Sequence, residues 1–159
     1  MKRKLLFCLF AATIGLCLAA CVDETEPEQE QPGVEAVIDI LSIAGKTEDE
    51  IQSALGAPVF SENSSFSPDA VTNTYADSTE ILFVDEIPAR ITVYPPDGAK
   101  VEDGAALIGL TEEQSRTPSY DSSENYYWND NTEFYKITAF NNGDGTISYI
   151  YVITSEEYQ

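Results

Sequence analysis

The chain has 159 residues, with 28 acidic side chains, eight basic ones and no histidine, and its net charge is −20. This negative charge opposes binding to nucleic acids, because their phosphates would be repelled rather than neutralised. The lack of histidine removes Ser-His and Cys-His nucleophile pairs and histidine-ligated zinc. Composition therefore argues against nucleic-acid binding and excludes these active sites.

The first 20 residues have the layout of a secretory signal peptide. A basic head at residues 2–4 precedes an apolar run that ends in Leu-Ala-Ala before Cys21. The run is too short to be read as a membrane-spanning helix. Its small-small-Cys ending resembles the lipobox of bacterial lipoproteins, and the resemblance implies cleavage before Cys21 and a diacylglycerol thioether on its sulfur. An ordinary cleavage site with an incidental cysteine, or an uncleaved anchor, is the alternative.

Cleavage would leave an extracytoplasmic chain that lipid alone holds to the cell membrane. Residues 21–159 contain five basic and 28 acidic side chains, a net charge of −23 that opposes docking on anionic headgroups. Residues 22–33 are rich in Glu, Gln and Pro, which predicts a disordered tether after the lipidated Cys21. Residues 34–159 then form one domain. This domain has no cysteine, so packing rather than disulfides must stabilise it.

The domain begins with the clearest helix signal of the chain. Residues 34–43 are apolar and fit either a helix or a strand. Thr47 and Glu50 then form the capping box of a short helix that ends at Gly56. The apolar stripe of that helix is predicted to consist of Ile51, Ala54 and Leu55.

The later elements predict an α+β fold, in which short helices pack on an antiparallel sheet. Residues 60–70 and 111–131 are polar and predict loops, the second interrupted by aromatic residues. A second short helix is predicted over residues 103–109, with Asp103 as its cap. Strands are predicted at residues 72–76, 79–84, 89–94, 134–140 and 146–154, of which the last two form a hairpin.

Two repeated helix-plus-meander units fit this order of elements. Gly56 and Gly109 each end a predicted helix, and a large aromatic residue follows each of them 19 residues later, Tyr75 or Trp128. Each aromatic residue is followed by apolar strands.

Three segments resemble known families. Residues 44–58, AGKTEDEIQSALGAP, resemble the first helix of small lipoproteins that include the SmpA/OmlA outer-membrane assembly lipoproteins. With the two-unit order, the chain also resembles the helix-on-sheet fold of the β-lactamase-inhibitor type. The segments ITVYPP and ITAFNNGDGTISYIYV are similar to surface lipoproteins of Gram-positive bacteria. The resemblances cover most of residues 40–154 and imply a fold rather than an activity.

Aromatic residues beside a polar loop are the main candidates for a binding site. Tyr126, Tyr127 and Trp128 are flanked by serine, asparagine and aspartate, and such rings stack on sugars or anchor a protein partner. Arg90 and Tyr94, on one face of a predicted strand, would extend this patch. The alternative places Trp128 in the core beneath the loop and pairs Arg90 with a nearby acid.

No cofactor, metal site or catalytic residue is predicted. Residues 142–147 match the middle of a calcium-binding EF-hand loop, but the first and last ligand positions would be Phe140 and Tyr151, so a hairpin turn is predicted. The acidic pairs are Asp85/Glu86, Glu102/Asp103, Glu112/Glu113 and Asp130/Glu133. They permit an alternative function, a carboxylate-based hydrolase acting on glycans. The sequence favours a non-enzymatic module that binds a protein or a glycan.

Overall fold

The computed structural model describes residues 34–115, 120–121, 125–128 and 133–159. They belong to one structural unit, in which short helices pack on one face of an eight-stranded antiparallel sheet. The predicted α+β class is therefore confirmed. The signal peptide, Cys21 and the tether at residues 22–33 lie outside the described residues.

The sheet consists of two four-stranded meanders that meet in its middle. The strands are β1 (Phe60–Asn63), β2 (Ala70–Thr74), β3 (Glu80–Val84), β4 (Ile87–Val93), β5 (Tyr120–Asp121), β6 (Asn125–Tyr127), β7 (Lys136–Asn141) and β8 (Ile147–Ile153). Their order in the sheet is β1-β2-β3-β4-β8-β7-β6-β5. The pair β4–β8 joins the meanders, with Ile91 opposite Val152.

Helix α1 (Glu48–Leu55) has the bounds that the sequence predicts, because local hydrogen bonds define its start. The Glu50 backbone N–H donates to Thr47 Oγ1 at 3.4 Å, and the Thr47 backbone N–H donates to Glu50 Oε2 at 2.9 Å. Ile51 is buried and Leu55 is half-buried against the core. Ala54 is exposed, so the predicted stripe is wrong there: the helix contacts the core on its Ile51–Leu55 side.

The remaining helical segments are short. A 3-10 helix at Ile40–Ser42 replaces the longer helix or strand considered for residues 34–43. Another at Val101–Asp103 leads into α2 (Gly104–Leu107). Asp103 is the N-cap residue of α2, as predicted, but it has helical backbone angles and its side chain makes no capping hydrogen bond. The predicted end is wrong, because α2 ends at Leu107. Among the described residues, no helix is both long and apolar enough to cross a membrane.

Two predicted loops contain regular structure. Residues 60–70 include β1, and residues 111–131 include α3 (Glu112–Ser115), β5 and β6. All four residues of β1 are exposed, so this edge strand shows no alternation of apolar and polar side chains from which to predict it. Helix α3 is one turn, capped by Thr111 Oγ1, which accepts from the Gln114 backbone N–H at 3.3 Å.

The two faces of the sheet differ in what covers them. One face packs against the helices and forms the main core, where strand residues such as Ile91 and Val152 contact a cluster that includes Ile51 of α1 and Leu107 of α2. The other face, called the open face below, carries a small buried cluster of Ala70, Leu82 and Ala89, against which Tyr158 of a C-terminal 3-10 helix (Glu156–Tyr158) packs. Elsewhere on the open face, the described parts of the central strands β4, β7 and β8 bear aromatic and polar side chains.

Candidate functional site

Four aromatic side chains meet on the open face, where β4, β8 and β7 lie side by side. The aromatic cluster consists of Tyr94, Phe140, Tyr149 and Tyr151. The rings of Phe140 and Tyr149 stack with their centroids 4.5 Å apart and their planes 25° from parallel. Tyr151 lies edge-on to both at 6.4 Å, and Tyr94 lies 6.4 Å from Tyr149. The rings therefore form one continuous surface.

Strand register brings these residues together. Tyr149 and Tyr151 alternate along β8 with buried aliphatic residues, so both tyrosines project from the open face. Phe140 of β7 is opposite Tyr149. Thr92 of β4 is opposite Tyr151, which places Tyr94, just after β4, beside Tyr149. The cluster thus crosses the junction between the two meanders.

Charged groups border the aromatic cluster. The Arg90 guanidinium carbon lies 5.0 Å from the centre of the Tyr151 ring, a cation–π contact. The Tyr94 hydroxyl donates to Glu80 Oε2 at 3.4 Å. Burial and then the Glu80 charge raise the pKa of Tyr94, while burial raises the pKa of Tyr151 against the opposing effect of Arg90. Both phenols are therefore neutral near pH 7 and can donate and accept hydrogen bonds.

The predicted site residues do not form one patch. Arg90 lies beside the aromatic cluster, and Tyr94 belongs to it. Trp128 is 2% exposed and belongs to the main core, in agreement with the alternative interpretation. Tyr126 is half-buried against the same core, with its ring 6.2 Å from that of Trp128. The backbone of Tyr127 pairs with Thr138, and its side chain lies outside the described part of the structure.

Three members of the cluster were absent from the predicted site: Phe140, Tyr149 and Tyr151. The sequence does contain a signal that the two tyrosines share one face of a strand, because they are two residues apart and separated by an aliphatic residue. That alternation predicts the β7–β8 hairpin correctly. It does not predict which distant strand brings Tyr94 to the same surface.

A separate acidic cleft of about 400 Å³ lies at the start of α1. Glu48, Asp69, Asp85 and Glu86 line it, so one of the predicted acidic pairs is found in a concave site. Glu48 Oε1 accepts a hydrogen bond from Asn73 Nδ2 at 2.7 Å, which gives this carboxylate a structural role. Among the described residues, no three cysteine or acidic side chains are placed to hold a metal ion.

Two carboxyl groups outside the acidic cleft, those of Glu50 and Asp144, have lowered pKa values. Hydrogen bonds from the Thr47 backbone and hydroxyl lower the pKa of Glu50. Those from the Thr146 hydroxyl and backbone lower the pKa of Asp144. A general acid at neutral pH needs a shift in the opposite direction. Asp144 lies in the turn between β7 and β8, where the sequence predicts a hairpin turn, and that prediction is confirmed.

Comparisons with known proteins show the fold alone. No protein-family model and no curated protein matches the chain. The structure is similar to the crystal structure of an extracellular protein containing a SCP domain from Bacillus anthracis strain Ames, with a TM-score of 0.51 and 11% sequence identity. The likeness covers 82% of this chain and 50% of that one, so the chain spans about half the length of the protein it matches.

Proposed function

We propose that the protein is a lipid-anchored, extracytoplasmic lipoprotein that binds a protein partner through the aromatic cluster. The observation that carries this proposal is the set of four contacting rings on the open face, none of which belongs to the main core that the helices cover. Tyrosine and arginine are enriched among residues that dominate binding energies. The location rests on the sequence that ends at Cys21, and the extracellular nature of the structural neighbour supports it.

The geometry of the rings favours a protein over a glycan. A sugar stacks on an exposed ring face, but Phe140 and Tyr149 turn their faces toward each other at 4.5 Å. Tyr151 carries the Arg90 guanidinium over its ring. The exposed Tyr94 side chain, the ring edges and the phenol hydroxyls remain for contact, and these suit the side chains and backbone of another protein. Because residues 34–159 have 23 acidic and five basic side chains, a basic partner is favoured.

Capture with matched tyrosine variants tests this proposal. The full-length protein, immobilised from detergent extracts, is incubated with secreted proteins and cell-wall glycans of the producing cells. We expect a protein that the wild type retains to be lost by a Tyr94→Ala/Tyr149→Ala variant. Tyr135→Ala is the control, because Tyr135 is also an exposed tyrosine, but its hydroxyl donates to Gln159 outside the cluster. Equal retention by all three forms would contradict the proposal.

The same material separates binding from the alternative, a carboxylate-based hydrolase acting on glycans. A hydrolase using the acidic cleft would release soluble sugar, and Asp85→Asn or Glu86→Gln would abolish the release. Glu102→Gln is the control, because Glu102 is exposed and is absent from the residues that line the cleft. Sugar release with this dependence would replace the binding proposal.

We also propose that the two halves are repeated helix-plus-meander units, in an alignment different from the one the sequence suggests. Gly45 and Gly109 both have positive φ, 68° and 79°, and a capping threonine follows each two residues later, Thr47 or Thr111. Each capped helix precedes a four-stranded meander. In this alignment the equivalent of Gly109 is Gly45 rather than Gly56.

A further inference from the structure

A groove of about 310 Å³ lies at one end of the two central strands, between the loop before α1 and the C-terminal segment. Pro88 and Phe134 line it and are buried, while Ile87 is 38% exposed. Glu133 and Glu157 also line it and are exposed. Apolar surface therefore forms its bottom and two carboxylates stand at its rim. We name it the acid-rimmed groove.

The groove carries one sign of charge. Among the described residues that line it, none is lysine or arginine. Tyr158 lines it as well, and burial followed by the charges of Glu157 and Asp85 raises the pKa of this phenol. The hydroxyl therefore stays neutral near pH 7 and can accept a hydrogen bond. An anionic ligand would be repelled, while a cation would be attracted.

We propose that the acid-rimmed groove takes a lysine side chain presented by a protein partner, with its stem on Ile87, Pro88 and Phe134 and its ammonium at Glu133 and Glu157. A lysine stem packs on apolar surface while its charged end stays at the water boundary. The groove volume is near the lower limit for pockets that bind small molecules, about 300 Å³, which suits a side chain rather than a large cofactor. The excess of acidic residues attracts a lysine-bearing partner.

This site is independent of the aromatic cluster, because the two share no lining residue. Each of the two sites can therefore be tested, and contradicted, without the other. The experiment uses n-butylammonium, which has the carbon chain and charge of a lysine side chain. The matched probe is n-butanol, which has the same carbon chain and no charge.

Both probes are titrated into ¹⁵N-labelled full-length protein in a non-ionic detergent, and amide shifts are followed by NMR. We expect n-butylammonium to shift the amides of Gly45, Ile87 and Ser155, with an affinity about tenfold above that of n-butanol. A Glu133→Gln/Glu157→Gln variant should lose most of this difference. The control variant Asp97→Asn/Glu102→Gln removes the same charge from exposed positions outside the groove and should bind like the wild type.

Three outcomes would overturn the proposal. The first is equal affinity for n-butanol and n-butylammonium, which would leave the carboxylates without a role. The second is an equal loss in both double variants, because net charge rather than the groove would then attract the cation. The third is a set of shifts confined to amides outside the groove.

Discussion

Asn73 Nδ2 donates a hydrogen bond of 2.7 Å to Glu48 Oε1, and this bond connects β2 to the first turn of α1. Asn73 is fully buried. Asn73→Ala removes the donor, so we expect the free energy of unfolding to fall by about 2 kcal/mol. Chemical denaturation measures the change. Asn63→Ala, at an exposed position of β1, is the control and should stay within about 0.5 kcal/mol of the wild type. Equal midpoints for the two variants would count against the bond.

Gly104 is expected to accept no side chain, because Trp128 occupies the space. A methyl group placed there would lie 2.9 Å from Trp128 Cη2 and 3.3 Å from Ile147 Cδ1. Gly104→Ala should lower the free energy of unfolding by about 1–3 kcal/mol. Adding Trp128→Phe should make the double variant less destabilised than the sum of the single changes. If the losses in the free energy of unfolding simply add in thermal or chemical unfolding, the side chains at positions 104 and 128 do not clash.

Tyr75 is expected to limit stability at alkaline pH. Burial raises the pKa of Tyr75 above its ordinary value, with a smaller opposing effect of Asn73. Above pH about 10 the unfolded chain loses the phenol proton while the folded chain keeps it, so the free energy of unfolding falls as pH rises through this window.

Between about pH 8 and pH 11, a range that brackets the ordinary phenol pKa, the free energy of unfolding should fall less for Tyr75→Phe than for the wild type. Within the described residues the Tyr75 hydroxyl has no hydrogen-bond partner, although Asn73 lies near it, so the variant should be at least as stable at pH 7. Tyr135→Phe is the control, because Tyr135 is exposed. Identical pH profiles for Tyr75→Phe and the wild type would contradict the prediction.

The two capping threonines should contribute unequally to stability. Thr47 caps the eight residues of α1, and Thr47→Ala should cost about 1 kcal/mol. Thr111 caps the four residues of α3, so Thr111→Ala should cost less, since fewer helical hydrogen bonds depend on it. Serine at either position keeps the hydroxyl and should restore most of the stability. A larger loss at Thr111 than at Thr47 in urea unfolding would refute this ranking.

Cys21 should determine where the protein is found. If lipid on Cys21 is the anchor, Cys21→Ser either releases the protein into the medium or leaves the precursor uncleaved. Fractionation with detergent-phase partitioning measures this, and Cys8→Ser provides a matched control within the signal peptide. A processed Cys21→Ser protein that still partitions into detergent would disprove the lipoprotein assignment.

Local signals predict parts of this fold to the residue. The bounds of α1 follow from Thr47, Glu50 and Gly56, because the capping hydrogen bonds span three residues and need no distant partner. The β7–β8 hairpin follows from alternation on either side of a short turn. Strand β1 was missed because its exposed residues leave no pattern to detect.

The candidate surface was predicted only in part, because neighbours in sequence lie on different sides of the sheet. Trp128 is in the core although it ends a run of three aromatic residues. Tyr94 and Tyr149 lie together because β4 pairs with β8, and that pairing joins strands from opposite halves of the chain. A single sequence contains the residues of the cluster but not the register that assembles it.

The position of β8 has a consequence for the order in which the sheet is completed. Strand β4 pairs with β3 on one edge and with β8 on the other, and β8 follows all the other strands in the sequence. If the chain is exported N-terminus first, as the proposed lipoprotein would be, the first meander has an unpaired edge until residues 147–153 leave the export channel. The edge of β4 would then be open to pairing with another chain until β8 arrives, and β8 would complete the sheet.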